Sequence, residues 1–160
     1  MVENPVVRSL MDTAPYSVGE DETLLMDWEV LERSGQRALP VVRADGCCAG
    51  VLDRAELAVA CAVDVLSRRR VRDLLRSRRT VRIHLEESLS HAAAVMTDED
   101  TDALPVTDEH GQLVGLLTSR DYVAAAAGLH HRAAAERPAR VTLPGLPPHP
   151  GVGERGIVIP

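Results

Sequence analysis

The sequence predicts an α+β fold made of two tandem copies of one unit, packed sheet to sheet about a pseudo-twofold axis. Two observations carry that expectation. The chain repeats itself: Ala38-Leu39-Pro40-Val41 returns as Ala103-Leu104-Pro105-Val106, an offset of 65 residues. Self-similarity at a fixed offset marks a duplicated structural unit. Gly46 and Gly111, Gly50 and Gly115, and Val51-Leu52 and Leu116-Leu117 keep the same offset. Within each copy the apolar residues also change period, from that of a helix to that of a strand and back.

Each unit opens with a helical segment. Val7-Arg8-Ser9-Leu10-Met11 is echoed by Val71-Arg72-Asp73-Leu74-Leu75 at an offset of 64, so the second copy carries one inserted residue. An early strand follows. Next, Leu24, Trp28 and Leu31 lie at i, i+4 and i+7, in register with Leu89, Ala93 and Met96, which is one apolar stripe of a helix. Thr23 and Ser88 stand just before these stripes, where a hydroxyl caps free amides. Gly35 is placed to end the first helix. Strands are expected over 39–42 and 104–107. Ala44-Asp45-Gly46 and Asp108-Glu109-His110-Gly111 supply the dihedrals of a hairpin, with return strands over 49–52 and 113–117. A last helix begins near Arg54 and near Ser119. The order in each copy is helix, strand, helix, hairpin, helix. A unit of about 60 residues hardly buries its apolar faces alone, so the two are expected to form one domain. The first copy is assigned to 5–66, the second to 67–130 and a Pro/Gly-rich flexible tail to 131–160.

Composition narrows the function classes. Of the 160 residues, 45% are hydrophobic and 26% charged, as in an ordinary globular protein. The formal net charge is −6, which does not favour nucleic acid or anionic membranes. Trp28, Tyr16 and Tyr122 are the only aromatics, too few for a base-stacking platform. Cys47, Cys48 and Cys61 have neither disulfide nor zinc spacing. With no signal-peptide pattern and no apolar run long enough to span a bilayer, a cytoplasmic setting is expected.

The motif in its fuller copy reads Ala-Leu-Pro-Val-Thr, then Asp-x-x-Gly-x-Leu-Val-Gly-Leu-Leu-Thr-x-x-Asp, from Ala103 to Asp121. It resembles the cystathionine-β-synthase-type (CBS) motif. Two in tandem resemble a Bateman module, here expected to stand alone. That resemblance covers about four fifths of the chain. It implies a regulatory module without catalysis, binding an adenosyl ligand (AMP, ADP, ATP or S-adenosylmethionine) between the motifs. It further implies a homodimer and an unknown regulated partner, and it requires no other cofactor.

By the same resemblance Asp121 accepts the ribose hydroxyls and Thr118 stands near the phosphate, with Arg120 between them as a cation. A carboxylate accepting both vicinal hydroxyls makes charge-assisted bonds, and a helix start suits a phosphate. Thr118-x-x-Asp121 equally fits a capping box with no ligand role, so both readings stand. Tyr16, Ser17, Val18 and Arg37 are candidates to line the Asp121 site. Copy one has Asp53 and Glu56 at the equivalent positions, and Asp53 would repel a phosphate in a confined cleft. These two, with Arg82, make a degenerate second site.

Eight of the 18 basic residues lie between the motifs: Arg68, Arg69, Arg70, Arg72, Arg76, Arg78, Arg79 and Arg82. They read as a solvated segment whose stems cover apolar surface, or as a phosphate- or nucleic-acid-facing patch. The histidines are scattered, without metal-ligand spacing. No nucleophile-base pair, Gly-rich phosphate loop or metal cluster suggests an enzyme. The alternatives to a sensor are a ligand-free interaction scaffold and, behind it, a nucleic-acid-associated protein.

Overall fold

The structure, a computed structural model, describes residues 4–63, 69–76 and 78–128. The proposed tail over 131–160 and Arg68 lie outside the described residues. The fold is α+β with two small sheets, one per copy.

The predicted caps form. The Thr23 hydroxyl accepts the Met26 amide at the head of α1 (Leu24–Ser34), and Ser88 accepts the His91 amide at the head of α4 (Leu89–Asp98). Helix α1 ends at Gly35 with φ 72°; its counterpart 65 residues on, Asp100, takes φ 50°. In copy one, β1 (Val18–Gly19) runs parallel to β2 (Ala38–Val42), and β3 (Cys48–Asp53) returns antiparallel with Leu39 opposite Leu52. Copy two repeats this with β4 (Ile83–His84), β5 (Ala103–Thr107) and β6 (Leu113–Thr118), where Leu104 faces Leu117. Both hairpins run one residue further at each end, or at one end, than the apolar pattern suggests, because the flanking residues complete the ladder. Helices α2 (Arg54–Val63) and α5 (Ser119–Ala126) follow directly.

The opening segments differ from each other. Val7–Ser9 is a single 3-10 turn, whereas Val71–Leu75 forms a short helix, α3. In α3 the Asp73 carboxylate accepts the Arg70 amide, and that bond holds its pKa low. Each opening segment crosses over. Val7, Leu10 and Met11 pack into the core of copy two with Ile83, Met96, Leu104, Val106 and Leu117. Val71, Leu74 and Leu75 pack into that of copy one with Leu31, Leu39, Val41, Leu52 and Leu57. Neither copy completes its core without the other. At about 1.5–3 kcal/mol per fully buried aliphatic side chain, this exchange welds the pair.

Glycines admit the crossings. A Cβ on Gly115 would lie 2.7 Å from Met11 Sδ and 2.8 Å from the Asp12 carbonyl. A Cβ on Gly50 would stand 3.1 Å from Leu75 Cδ2. Between the sheets a cluster of Ala38, Ala103 and Leu116, flanked by Val51, lets the layers approach. The hairpin tips interlock: Cys48 donates to Gly111 O, Leu113 to Gly46 O, and Gln112 Nε2 to Asp45 O. Cys48 is buried, its thiol pushed up to about 11 by that burial, while Cys47 is half-buried, as strand alternation requires.

One polar group on α1 breaks the pattern. Asp27 is fully buried beside Leu24, Val30 and Leu31, and its carboxylate oxygens have no hydrogen-bond partner among the described residues. Among the described residues no helix is long and apolar enough to cross a membrane.

Candidate ligand cleft

A cleft of about 870 Å³ opens between the two copies, within the usual range for small-molecule sites. Its walls are the starts of α2 and α5, the loops that lead into β2 and β5, the Ala49-Gly50-Val51 stretch of β3, and 78–81. The pseudo-symmetry is visible in how the helix starts are tied: Arg54 N donates to Arg37 O, and Ser119 N donates to Asp102 O.

At the α5 start the capping box forms. Asp121, almost fully buried, accepts the Thr118 amide at 2.8 Å, and Thr118 is half-buried at the cleft. Arg120 lines the cleft and is exposed. Tyr122 anchors the same helix by donating its hydroxyl to Leu89 O at 2.6 Å. At the α2 start a second reciprocal box replaces it: Asp53 Oδ1 accepts the Glu56 amide at 2.7 Å, and Glu56 Oε2 accepts the Asp53 amide at 3.1 Å.

The structure brings Thr118, Arg120, Asp121, Arg37, Asp53 and Glu56 to one cleft. Tyr16, Ser17, Val18 and Arg82 do not line it. Val18 and Ser17 are buried in copy one, Val18 in the core under α1. Tyr16 packs against the same core, its backbone clamped by Gln36, which accepts the Tyr16 amide at 2.7 Å and donates to the Tyr16 carbonyl. Arg82 lies beside the Gly111 hairpin. The segment that reaches the cleft is the counterpart of Pro15-Tyr16 in copy two, Thr80-Val81, with the Thr80 hydroxyl donating to Ala49 O. The offset of 65 was the signal that points to it.

The inter-motif arginines are mostly engaged with carboxylates. Arg78 Nη1 meets Glu56 Oε1 at 2.5 Å and Arg79 meets Glu99 at 3.5 Å, both at the cleft. Arg72 pairs with Asp21, Arg76 with Asp73, and Arg70 donates to Asp21 O. Partner carboxylates so placed offset part of the segment's positive charge. Charged residues of the lining, among those described, are seven carboxylates and four guanidinium groups, a formal excess of three negative charges. No cluster of three or more metal-ligating side chains occurs among the described residues.

The profile of the CBS domain matches residues 7–62 and 71–128. The homoserine O-acetyltransferase of Methanosarcina acetivorans is 28% identical over 116 residues, 71% of this chain but 20% of that protein. The chain thus spans about a fifth of the length of that curated relative. In solved structures, the CBS domain pair of protein MJ0100, in complex with 5′-methylthioadenosine and S-adenosyl-L-methionine, superposes with a TM-score of 0.69 at 21% identity. It covers 79% of this chain and 98% of that one. CBSX2 in complex with AMP gives 0.66 at 22% identity, covering 78% and 97%. At such identities the likeness is one of fold.

Proposed function

The chain belongs to the CBS domain family, and from that premise we propose that it is a non-catalytic sensor whose inter-copy cleft binds an adenosyl compound. Binding would modulate a partner protein or the chain's own oligomer. The observation that carries this reading is the cleft itself: it joins the start of α5, with Thr118 and Asp121, to the start of α2, to Thr80-Val81 and to Leu75 of the crossing segment. A ligand there touches both copies and the segment that exchanges between them, so it clamps their relative placement and shifts a pre-existing equilibrium. Solved relatives of the same fold bind 5′-methylthioadenosine, S-adenosyl-L-methionine or AMP, which supports an adenosyl ligand. The acetyltransferase name of the curated relative does not extend to this chain, which matches a fifth of that protein. Exposed Val59 on α2 and Val123 on α5 give the outer helices apolar contacts for a homodimer.

A second reading has its own observation. The Asp121 carboxylate already serves the Thr118 amide, as a pure cap would, so a ligand-free interaction scaffold is the alternative. Thermal unfolding with AMP, ATP, 5′-methylthioadenosine and S-adenosylmethionine separates the two. A ligand present at about 100 times its Kd and binding only the folded state adds about 2.7 kcal/mol. Absence of a shift with every compound favours the scaffold.

A further inference from the structure

We propose that the cleft discriminates by charge, taking adenosyl compounds whose 5′ substituent is uncharged or cationic in preference to adenine nucleotides. This rests on the adenosyl reading above and assigns the ligand class within it. A phosphate in such a fold needs free helix-start amides, hydroxyls or cations. Here carboxylates hold several of those places. At the α2 start, Asp53 and Glu56 take each other's amides, which puts a carboxylate, Asp53, at the position where α5 has the Thr118 hydroxyl, and a second, Glu56, at the position of Asp121. At the α5 start, the Ser119 hydroxyl is spent on Asp102 Oδ1 at 3.0 Å. Cations are pre-empted too: Arg78 is held by Glu56 and Arg79 by Glu99, so a phosphate must displace a carboxylate to use either. Arg37 and Arg120 remain, both exposed, where water and salt weaken their pull. The formal excess of three negative charges in the lining repels a nucleotide's 5′ end, leaves a thioether unaffected and attracts a sulfonium or ammonium group.

The test is calorimetric titration of the full chain at about 50 mM salt, where screening is weak, with 5′-methylthioadenosine, S-adenosylmethionine, AMP and ATP. Affinity for the first two should exceed that for AMP by about tenfold or more, with ATP weakest. Asp53→Asn combined with Asp102→Asn should raise AMP affinity about threefold to tenfold and leave 5′-methylthioadenosine within about twofold. If ATP or AMP binds as tightly as the thioether, the sensor reading stands and the selectivity is overturned. If the variant leaves AMP affinity unchanged, charge at these positions is not its cause and the inference fails. If none of the four binds, the adenosyl reading itself falls, and the selectivity with it.

Discussion

Asp27 offers the sharpest test of the folded structure. Burial, reinforced by the nearby Glu22 charge, raises its pKa from 3.8 to about 7, and the carboxylate has no hydrogen bond among the described residues to offset that. Displacement of that size corresponds to about 4 kcal/mol between the ionised and neutral forms. The sign follows from proton binding. Well below its ordinary value of 3.8 the group is neutral in both states and costs nothing by ionisation. Between about pH 4 and 7 the unfolded chain releases the proton while the folded chain keeps it, so folding stability falls as pH rises. Above about pH 7 the loss is complete and the contribution is flat. The part lost between pH 5 and 8 is about 2.5 kcal/mol. Asp27→Asn keeps the shape and cannot ionise. Urea unfolding of both proteins at pH 5, 6, 7 and 8 should therefore show the variant gaining on the wild type as pH rises. With a typical urea dependence for a chain of this size, the gap between midpoints widens by about 1 M or more. A gap that stays constant with pH would refute the account of Asp27 as a buried, uncompensated carboxyl.

Gly115→Ala forces a methyl against Met11 and the Asp12 carbonyl, and overpacking of this kind should cost about 1–3 kcal/mol in urea unfolding. Leu104→Ala empties a fully buried position beneath the exchanged Val7 segment and should cost about 2–5 kcal/mol by the same assay. Arg78→Ala breaks a half-exposed ion pair with Glu56 and should change stability by less than about 1 kcal/mol. Asp121→Asn keeps an acceptor for the Thr118 amide; stability should fall by no more than about 1 kcal/mol, while ligand-induced thermal shifts disappear. A retained shift places the ribose elsewhere.

The duplication made most of the fold legible. Caps at Thr23 and Ser88, the stop at Gly35 and the two hairpins are local events, decided by residues within a few positions of one another, and the repeat doubled each signal. Even the opening segments were recognisable as a pair. Which core they join was not, because an apolar stripe such as Val7-Leu10-Met11 says that it must be buried and nothing about where. Only the packed structure shows the exchange between copies, made possible by the missing side chains at Gly50 and Gly115.

The site divides along the same line. Thr118, Arg120, Asp121, Asp53 and Glu56 were legible as helix starts that follow a strand, since that turn presents a motif's polar residues. Tyr16, Ser17 and Val18 do not line this cleft: the alternation of a strand does not reveal which sheet face is inner, and in copy one Val18 and Tyr16 pack on the core. The Arg78–Glu56 and Arg79–Glu99 pairs join residues 22 and 20 positions apart in sequence, too far for any local pattern to forecast. By itself the sequence determined the units, their caps and the candidate carboxylates. The tertiary structure decided that two sets of carboxylates face one cleft and that its arginines are already claimed, because charge balance in a cleft depends on which distant segments the packing brings together.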